Sequence, residues 1–387
     1  MEYNFDNLTA FLDSIPEKYK VPGFDMKVIH HGKEVYRHMG GYADREKGTP
    51  ITKDTHYFLY SCSKVFTCAL ALKAVEEGYF LPSEDVGKYL PEYYDVMLKE
   101  YDENGKMYLV KPARHIRIQD LFRMTSGFSY CLTNDEVTKV LKEKPNAPTR
   151  DIVRALAKNN IDIDPGTRFK YSISHDILAC VVEVATGKRF RDYAKEKFLD
   201  PLGMSETSYG IVERVKDKMA TLYVYKQKDD NSFPRELTND YIFGPDYDSG
   251  GAGLVSTVDD YAKFITALSR FGVGENGVRI LNKSTIDLMR TNILDLNSKM
   301  YQDFLDWGPC NAEYGYGYGV RTKIGTGNGG NFSSVGSFGW DGAAGGLIDI
   351  DPEREIAIVY LQHVINNPAP PIFQPKLRNL INIALGY

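Results

Sequence analysis

Strand-like runs sit at the two ends of this 387-residue chain, and helical periodicity fills the space between them. Near the start, Phe24-Asp25-Met26-Lys27-Val28-Ile29 and Glu34-Val35-Tyr36-Arg37-His38-Met39 flank a Gly-bearing turn at His30-His31-Gly32-Lys33, the pattern of a β-hairpin. The last third returns to strands over Tyr316 to Lys323, Val335 to Trp340, Ala344 to Ile350 and Ile356 to Gln362, with Gly325 to Gly330 as a hairpin turn. From about Asp85 to Asp248 the pattern is mostly helical, with helices at Ile118 to Phe122, Asp151 to Ala157 and Asp176 to Thr186, and a strand at Tyr223 entering a polar loop that ends near Asn231. Further helices are predicted near residues 5–20, where Phe5, Leu8, Phe11, Leu12 and Ile15 share a face, and over Val258 to Leu268, Ser284 to Arg290 and Pro375 to Leu385. Strands at both ends with helices between predict an α+β fold, one antiparallel sheet flanked by helices and split by a helical insertion. The expected organisation is a single domain over 5–387, its α/β part near 5–84 and 249–387 and a helical subdomain near 85–248.

The charge pattern narrows the partners. Net charge is −5 and no long basic run occurs, so neither nucleic acid nor an anionic membrane is indicated. No apolar stretch is long enough to span a bilayer, and the start, Met1-Glu2-Tyr3-Asn4-Phe5-Asp6, lacks the basic and apolar regions of a signal peptide, so a cytoplasmic location is expected. Cys62, Cys68, Cys131, Cys180 and Cys310 are odd in number and scattered, which favours free thiols. The seven histidines show no H-E-x-x-H or similar spacing, so neither a metal nor another cofactor is expected.

Three stretches carry chemistry. Leu59-Tyr60-Ser61-Cys62-Ser63-Lys64 runs into the apolar Val65-Phe66-Thr67-Cys68-Ala69-Leu70, and it holds the one S-x-x-K of the chain. At the start of a helix, Ser61 and Lys64 would share a face. A serine hydroxyl needs an adjacent base to become a nucleophile, and a lysine can serve if burial or a neighbouring cation lowers its pKa. In Pro165-Gly166-Thr167-Arg168-Phe169-Lys170-Tyr171-Ser172, the turn can aim the Tyr171 phenol into a cleft, where it could relay or accept a proton. Phe338-Gly339-Trp340-Asp341-Gly342-Ala343-Ala344-Gly345-Gly346-Leu347 is too glycine-rich for ordinary strand packing and suits close approach of backbone to a ligand. His175 and Asp176 are adjacent on a helix and so point apart, which disfavours a dyad. Tyr314-Gly315-Tyr316-Gly317-Tyr318-Gly319 reads as a strand packing tyrosines on one face. Gly325-Thr326-Gly327-Asn328-Gly329-Gly330 lacks the Lys-Ser/Thr ending of a phosphate loop.

In this order the three stretches resemble the serine β-lactamase and penicillin-binding protein superfamily, most closely class C β-lactamases and family VIII carboxylesterases. Met124-Thr125-Ser126-Gly127-Phe128, Pro201-Leu202-Gly203-Met204-Ser205-Glu206-Thr207, Gly251-Ala252-Gly253-Leu254-Val255-Ser256-Thr257 and Asp351-Pro352-Glu353 extend the likeness from about residue 5 to the C-terminus. The resemblance implies a β-lactamase/transpeptidase-like fold. It makes Ser61 the acylated nucleophile, Lys64 its base and Tyr171 a helper in proton transfer. It assigns the oxyanion hole to the backbone N–H groups of Ser61 and Ala343.

The departures concern substrate binding. Many relatives carry Asn where Ile173 stands, two residues after the tyrosine, and Ile173 cannot hydrogen-bond through its side chain. Where many β-lactamases have Lys-Thr-Gly, this chain has Trp340-Asp341-Gly342, similar to the Trp-Gly-Gly of the esterases. A cation for a substrate carboxylate is gone. If Asp341 faces the cleft, it repels such a carboxylate by roughly 3 kcal/mol at about 5 Å and an effective dielectric near 20; if it faces the sheet, it pairs with a basic residue instead. Ile173, Trp340, Asp341 and Gly342 are thus the expected substrate-binding positions. The expected function is serine hydrolysis of a small acyl substrate, most simply a carboxylic ester. The alternatives are a β-lactamase or D-amino-acid peptidase, an acyltransferase, and a catalytically silent binding or sensor protein. The oligomeric state is left open.

Overall fold

The computed structural model describes residues 3–225, 235–236, 243–308, 311–326 and 329–387. Met1-Glu2, the anticipated loop from Lys226 to Asn231, Cys310, and Gly327-Asn328 of the anticipated hairpin turn lie outside them. The fold is α+β, an antiparallel sheet flanked by helices. Its eight-stranded sheet is built from β1 (Gly23–His30), β2 (Lys33–Asp44), β3 (Thr49–Pro50), β4 (Tyr314–Tyr316), β5 (Arg321–Lys323), β6 (Phe338–Asp341), β7 (Leu347–Asp351) and β8 (Ile356–Gln362). The order is β4-β5-β6-β7-β8-β1-β2-β3, antiparallel throughout. The two strand-rich ends meet where β1 pairs with β8, Met26 opposite Tyr360. Every residue of β8 is buried, because helices cover both faces of the sheet.

On one face lie α1 (Asp6–Tyr19) and α5 (Pro370–Ala384). Leu8, Leu12 and Ile15 of α1 and Phe373, Leu377 and Ile381 of α5 form a core with Phe24, Met26 and Tyr360. The other face carries α2 (Ser63–Glu76) and α4 (Val258–Ser269), with α3 (Ser174–Thr186) packed behind α2. Helix α2 is buried almost all round, which marks an interior helix rather than an amphipathic surface one. Cys62, Cys68, Cys131 and Cys180 are free thiols. Among the described residues no helix is long and apolar enough to cross a membrane.

Several expectations are corrected. The strand predicted over Tyr316 to Lys323 is two strands, β4 and β5. Gly319 has φ +83°, and a Cβ on Gly317 would lie 2.3 Å from the Met289 carbonyl oxygen, so the chain turns there. Strand β6 begins at Phe338 rather than Val335, after a turn at Gly336 (φ +89°). Helix α5 starts five residues earlier than predicted, with prolines in its first turn where a missing N–H costs nothing. The stretch read as mostly helical also contains a hairpin, Leu98–Tyr101 with Met107–Val110.

Candidate active site

Ser61 lies in a 3₁₀ turn, Tyr60–Cys62, just ahead of α2. Tyr60 has φ +46°, an unusual conformation for a residue with a Cβ, and it turns the chain sharply before the serine. Cys62 fills the space beneath. A Cβ on Gly342 would lie 3.1 Å from its sulfur and 2.7 Å from the Leu59 carbonyl oxygen, and one on Gly346 3.0 Å from the same sulfur. Glycine at those places lets the turn after β6 lie against the serine turn, which brings Ala343 and Ser61 to one cavity.

The run Gly250–Leu254 anchors the polar side of α2. Thr67 Oγ1 donates to the Gly250 carbonyl at 2.7 Å, Lys64 Nζ to the Gly251 carbonyl at 2.7 Å, and the Leu254 N–H to Ser63 Oγ at 3.1 Å. Side chains larger than glycine would not pass. A Cβ on Gly250 would meet the His175 carbonyl oxygen at 2.3 Å, and one on Gly251 the Asp176 carboxylate at 2.5 Å.

Lys64 is fully buried and its Nζ also donates to Ser61 Oγ at 3.2 Å. It lies over the rings of Tyr171 and Tyr130, 4.8 and 5.3 Å from their centroids. Burial works against its charge, but the Tyr130 and Tyr171 oxygens, with the Asp176 carboxylate behind them, outweigh burial and lift the pKa above the ordinary lysine range. The expected lowering is therefore not met: acceptors rather than cations surround the amine, and the ammonium is its resting form.

Tyr171 donates its O–H to Ser61 Oγ at 2.8 Å and accepts from the Trp340 indole N–H at 3.2 Å. The Met124-to-Phe128 motif holds it there. The Gly166 and Lys170 N–H groups donate to the Thr125 and Met124 carbonyls, and Ser126, Ser174 and Ser172 form a hydroxyl chain with 2.8 and 2.7 Å links. Asp176 faces away from His175. It accepts from Tyr247 and Ser249 at 2.9 and 2.7 Å, while His175 lies 3.4 Å from Cys68. Burial, then the charge of Lys64, pushes the His175 imidazole down to about 3, so it is neutral packing.

The cavity at Ser61 has a volume of about 360 Å³. Its aromatic end is Tyr171, Trp307 and Trp340, the two indoles stacked 5.3 Å apart at 15° and Tyr171 lying 4.7 Å from Trp307. Its other end holds Arg321, Asp341 and Gln374 beneath Pro370 and Pro371. Arg321 donates to both oxygens of Asp341, at 2.8 and 3.1 Å, and Arg378 Nη2 lies 3.6 Å from Asp341. Asp341 thus lines the cavity and is paired as well.

Of the residues picked from sequence, Ser61, Tyr171, Trp340, Asp341, Gly342 and Ala343 line this one cavity, and Lys64 touches Ser61 from below. Ile173 does not belong with them. It is fully buried at the N-cap of α3 and packs in the core, because the chain has already turned into the helix. Tyr316, buried edge-on against Trp340, is likewise packing. Sequence reading missed Trp307, on an unforeseen helix (Lys299–Trp307), and Arg321, whose link to Asp341 spans two strands. Among the described residues no group of three or more His, Cys, Asp or Glu could hold a metal ion.

Comparison with known proteins gives the family. Residues 8–379 match the family model described as Beta-lactamase. Protein Rv1367c of Mycobacterium tuberculosis is 29% identical over 344 residues, covering 84% of this chain and 81% of that protein. Esterase EstB of Burkholderia gladioli is 28% identical over 283 residues, 67% of this chain and 69% of that one. Among solved structures, EstCE1, described as a hydrolase with promiscuous acyltransferase activity, superposes with a TM-score of 0.76 at 21% identity, covering 97% of this chain and 98% of that chain. A match across nearly the whole length, with a serine, lysine and tyrosine joined at one oxygen, makes the chain a member of the beta-lactamase family.

Proposed function

We propose that this protein is a serine hydrolase that cleaves small, uncharged carboxylic esters through an acyl-enzyme on Ser61. One observation carries the reading: Tyr171 and Lys64 both donate to Ser61 Oγ, at 2.8 and 3.2 Å, on the wall of a cavity whose near end is formed by Trp307 and Trp340. At about 360 Å³ the cavity suits a small ligand. Its cation, Arg321, is committed to Asp341 and offers little to a substrate carboxylate.

In the reactive form Tyr171 is the phenolate, its O–H proton given up to solvent and its charge held by the Lys64 ammonium and the Trp340 N–H. Ser61 Oγ then attacks the ester carbonyl carbon and passes its proton to that phenolate oxygen, since an ammonium has no lone pair to take it. The backbone N–H groups of Ser61 and Ala343 receive the oxyanion. Return of the proton to the alkoxy oxygen releases the alcohol, and water then repeats the sequence on the acyl-enzyme. The kinship with an esterase, EstB, supports this choice among the family's chemistries. Acyl transfer to a second alcohol is the competing reading, favoured by the room past Ser61 toward Arg321 and Gln374.

A fluorophosphonate should add mass to the Ser61 peptide, and p-nitrophenyl butyrate should be hydrolysed. Ser61→Ala should remove both, with a rate loss on the order of 10⁴–10⁶. Labelling elsewhere, or a chromogenic cephalosporin consumed faster than the ester, would refute the reading.

A further inference from the structure

The polar end of the cavity has no part in breaking the ester bond, yet it is built with care. Arg321 of β5 stands opposite Gly339 of β6, and Gly339 opposite Asp349 of β7, so Arg321, Asp349 and, two residues along β6, Asp341 share the sheet face covered by α5. Arg378 of α5 completes the group, with Nη2 3.6 Å from Asp341 and Nε bonded to Asp349 at 2.5 Å. Two guanidinium and two carboxylate groups cancel. They do not share exposure equally: the Arg321 and Arg378 side chains are 4% and 3% exposed, and Asp341 is 33% exposed. The cations sit behind, and what meets a ligand is the uncommitted edge of the Asp341 carboxylate, with Gln374 beside it.

We propose that Asp341 is a specificity-determining residue that accepts a hydrogen bond from an uncharged hydroxyl on the acyl or alcohol part of the substrate; this rests on the ester-hydrolase reading above. A carboxylate offers about four lone-pair positions, and Arg321 occupies two. A substrate carboxylate finds no free cation, because both guanidiniums are paired, and a substrate cation finds no net negative charge, because those guanidiniums stand directly behind the edge. A hydroxyl donates without bringing charge, whereas a methyl in its place strips water from the carboxylate and returns no bond.

The test uses isosteric ester pairs: 2-hydroxyethyl butyrate against n-propyl butyrate for the alcohol side, and ethyl 3-hydroxybutanoate against ethyl 3-methylbutanoate for the acyl side. Butyrylcholine and carboxymethyl butyrate serve as the charged arms. In the wild type, one hydroxyl ester should exceed its methyl partner in kcat/KM by about ten- to hundredfold, the span of a hydrogen bond to a charged group. Asp341→Ala should bring that ratio near one and raise carboxymethyl butyrate relative to n-propyl butyrate, since Arg321 then lacks its counter-ion. If the alanine variant does not fold, Asp341→Asn keeps the shape and should still cut the ratio several-fold. Equal rates within both pairs in the wild type, a ratio that survives both substitutions, or a preference for butyrylcholine would overturn the proposal while leaving ester hydrolysis standing. No turnover of any ester, with no phosphonate label on Ser61, would end both.

Discussion

Two buried cations flank one cavity, Lys64 beneath Ser61 and Arg321 in the wall of the polar end, and their surroundings differ in kind. Arg321 is met by a carboxylate through two hydrogen bonds, and a second carboxylate–guanidinium pair lies beside it. Lys64 is met by a serine oxygen, a backbone carbonyl and two tyrosine rings, with its nearest carboxylate, Asp176, set behind Gly251. A close counter-ion confines a charge's field to the pair. Uncharged acceptors hold the ammonium just as firmly but leave its field pointing at Tyr171, where a unit charge at about 5 Å and a dielectric near 20 is worth roughly 3 kcal/mol. In the reading proposed here, one end of the cavity spends its positive charge on chemistry and the other cancels it for recognition.

The contrast can be broken most severely at Lys64. Lys64→Ala should lower kcat by about 10²–10⁴, the range of a group that assists proton transfer. Added methylamine should restore part of the rate in proportion to the methylammonium present; rescue that follows the free amine would return the lysine to the role of base. Because the folded-state pKa lies above the ordinary 10.5, the ammonium persists through neutral and mildly alkaline pH, and no inflection below about pH 10 should belong to Lys64.

At the other end, Arg321→Met should act on stability and selectivity more than on chemistry. Removing one partner of a buried pair costs about 3–5 kcal/mol, and less here because Asp341 is partly exposed and Arg378 remains. Denaturant unfolding together with kcat on a neutral ester checks this; a loss of kcat as large as that of Lys64→Ala would erase the division between the two ends.

The smallest effect is expected at a partly buried cation outside the cavity. Arg37 donates to Asp25 at 2.6 Å, yet burial pushes the Asp25 carboxyl from 3.8 up to about 6, against the pull of Arg37. The folded state then binds the proton more tightly than the unfolded one, so stability should fall as pH rises from about 4 through 6. The loss is at most about 3 kcal/mol at 1.36 kcal/mol per pKa unit. Asp25→Asn should flatten that slope in unfolding curves at pH 4.5 and 7; an unchanged slope would mean that the pair carries its full charge throughout.

The legible parts of the chain were those fixed by local pattern. The β1–β2 hairpin, α2 and β8 follow from turn glycines and unbroken apolar runs, and Ser61, Lys64 and Tyr171 come from short motifs in order. Glycine misled where it serves sterics rather than flexibility: Gly317 and Gly319 interrupt a run that otherwise reads as one strand. Prolines hid the first turn of α5, since a proline there reads as a helix breaker from sequence and a helix starter from structure. Trp307 and Arg321 could not be found locally, because their place in the site depends on a helix docking on β4 and on a pairing across the sheet. Ile173 was misassigned for the same reason: a motif gives the position of a residue along the chain, and only packing decides which way its side chain turns.

The pairing of β1 with β8 also bears on how the molecule is made. Met26 is made long before its partner Tyr360, so the sheet cannot close until that later strand has been made. Ser61, Lys64 and Tyr171 are all made long before then, but the strand that brings Ala343 to them is stabilised by β7 and β8, which depend on β1. Contacts this distant along the chain fold slowly and leave an unpaired strand edge exposed in the meantime. In the reading proposed here, the nascent chain has its hydroxyl before it has the strand that receives the oxyanion, and it stays inert until β8 has paired with β1.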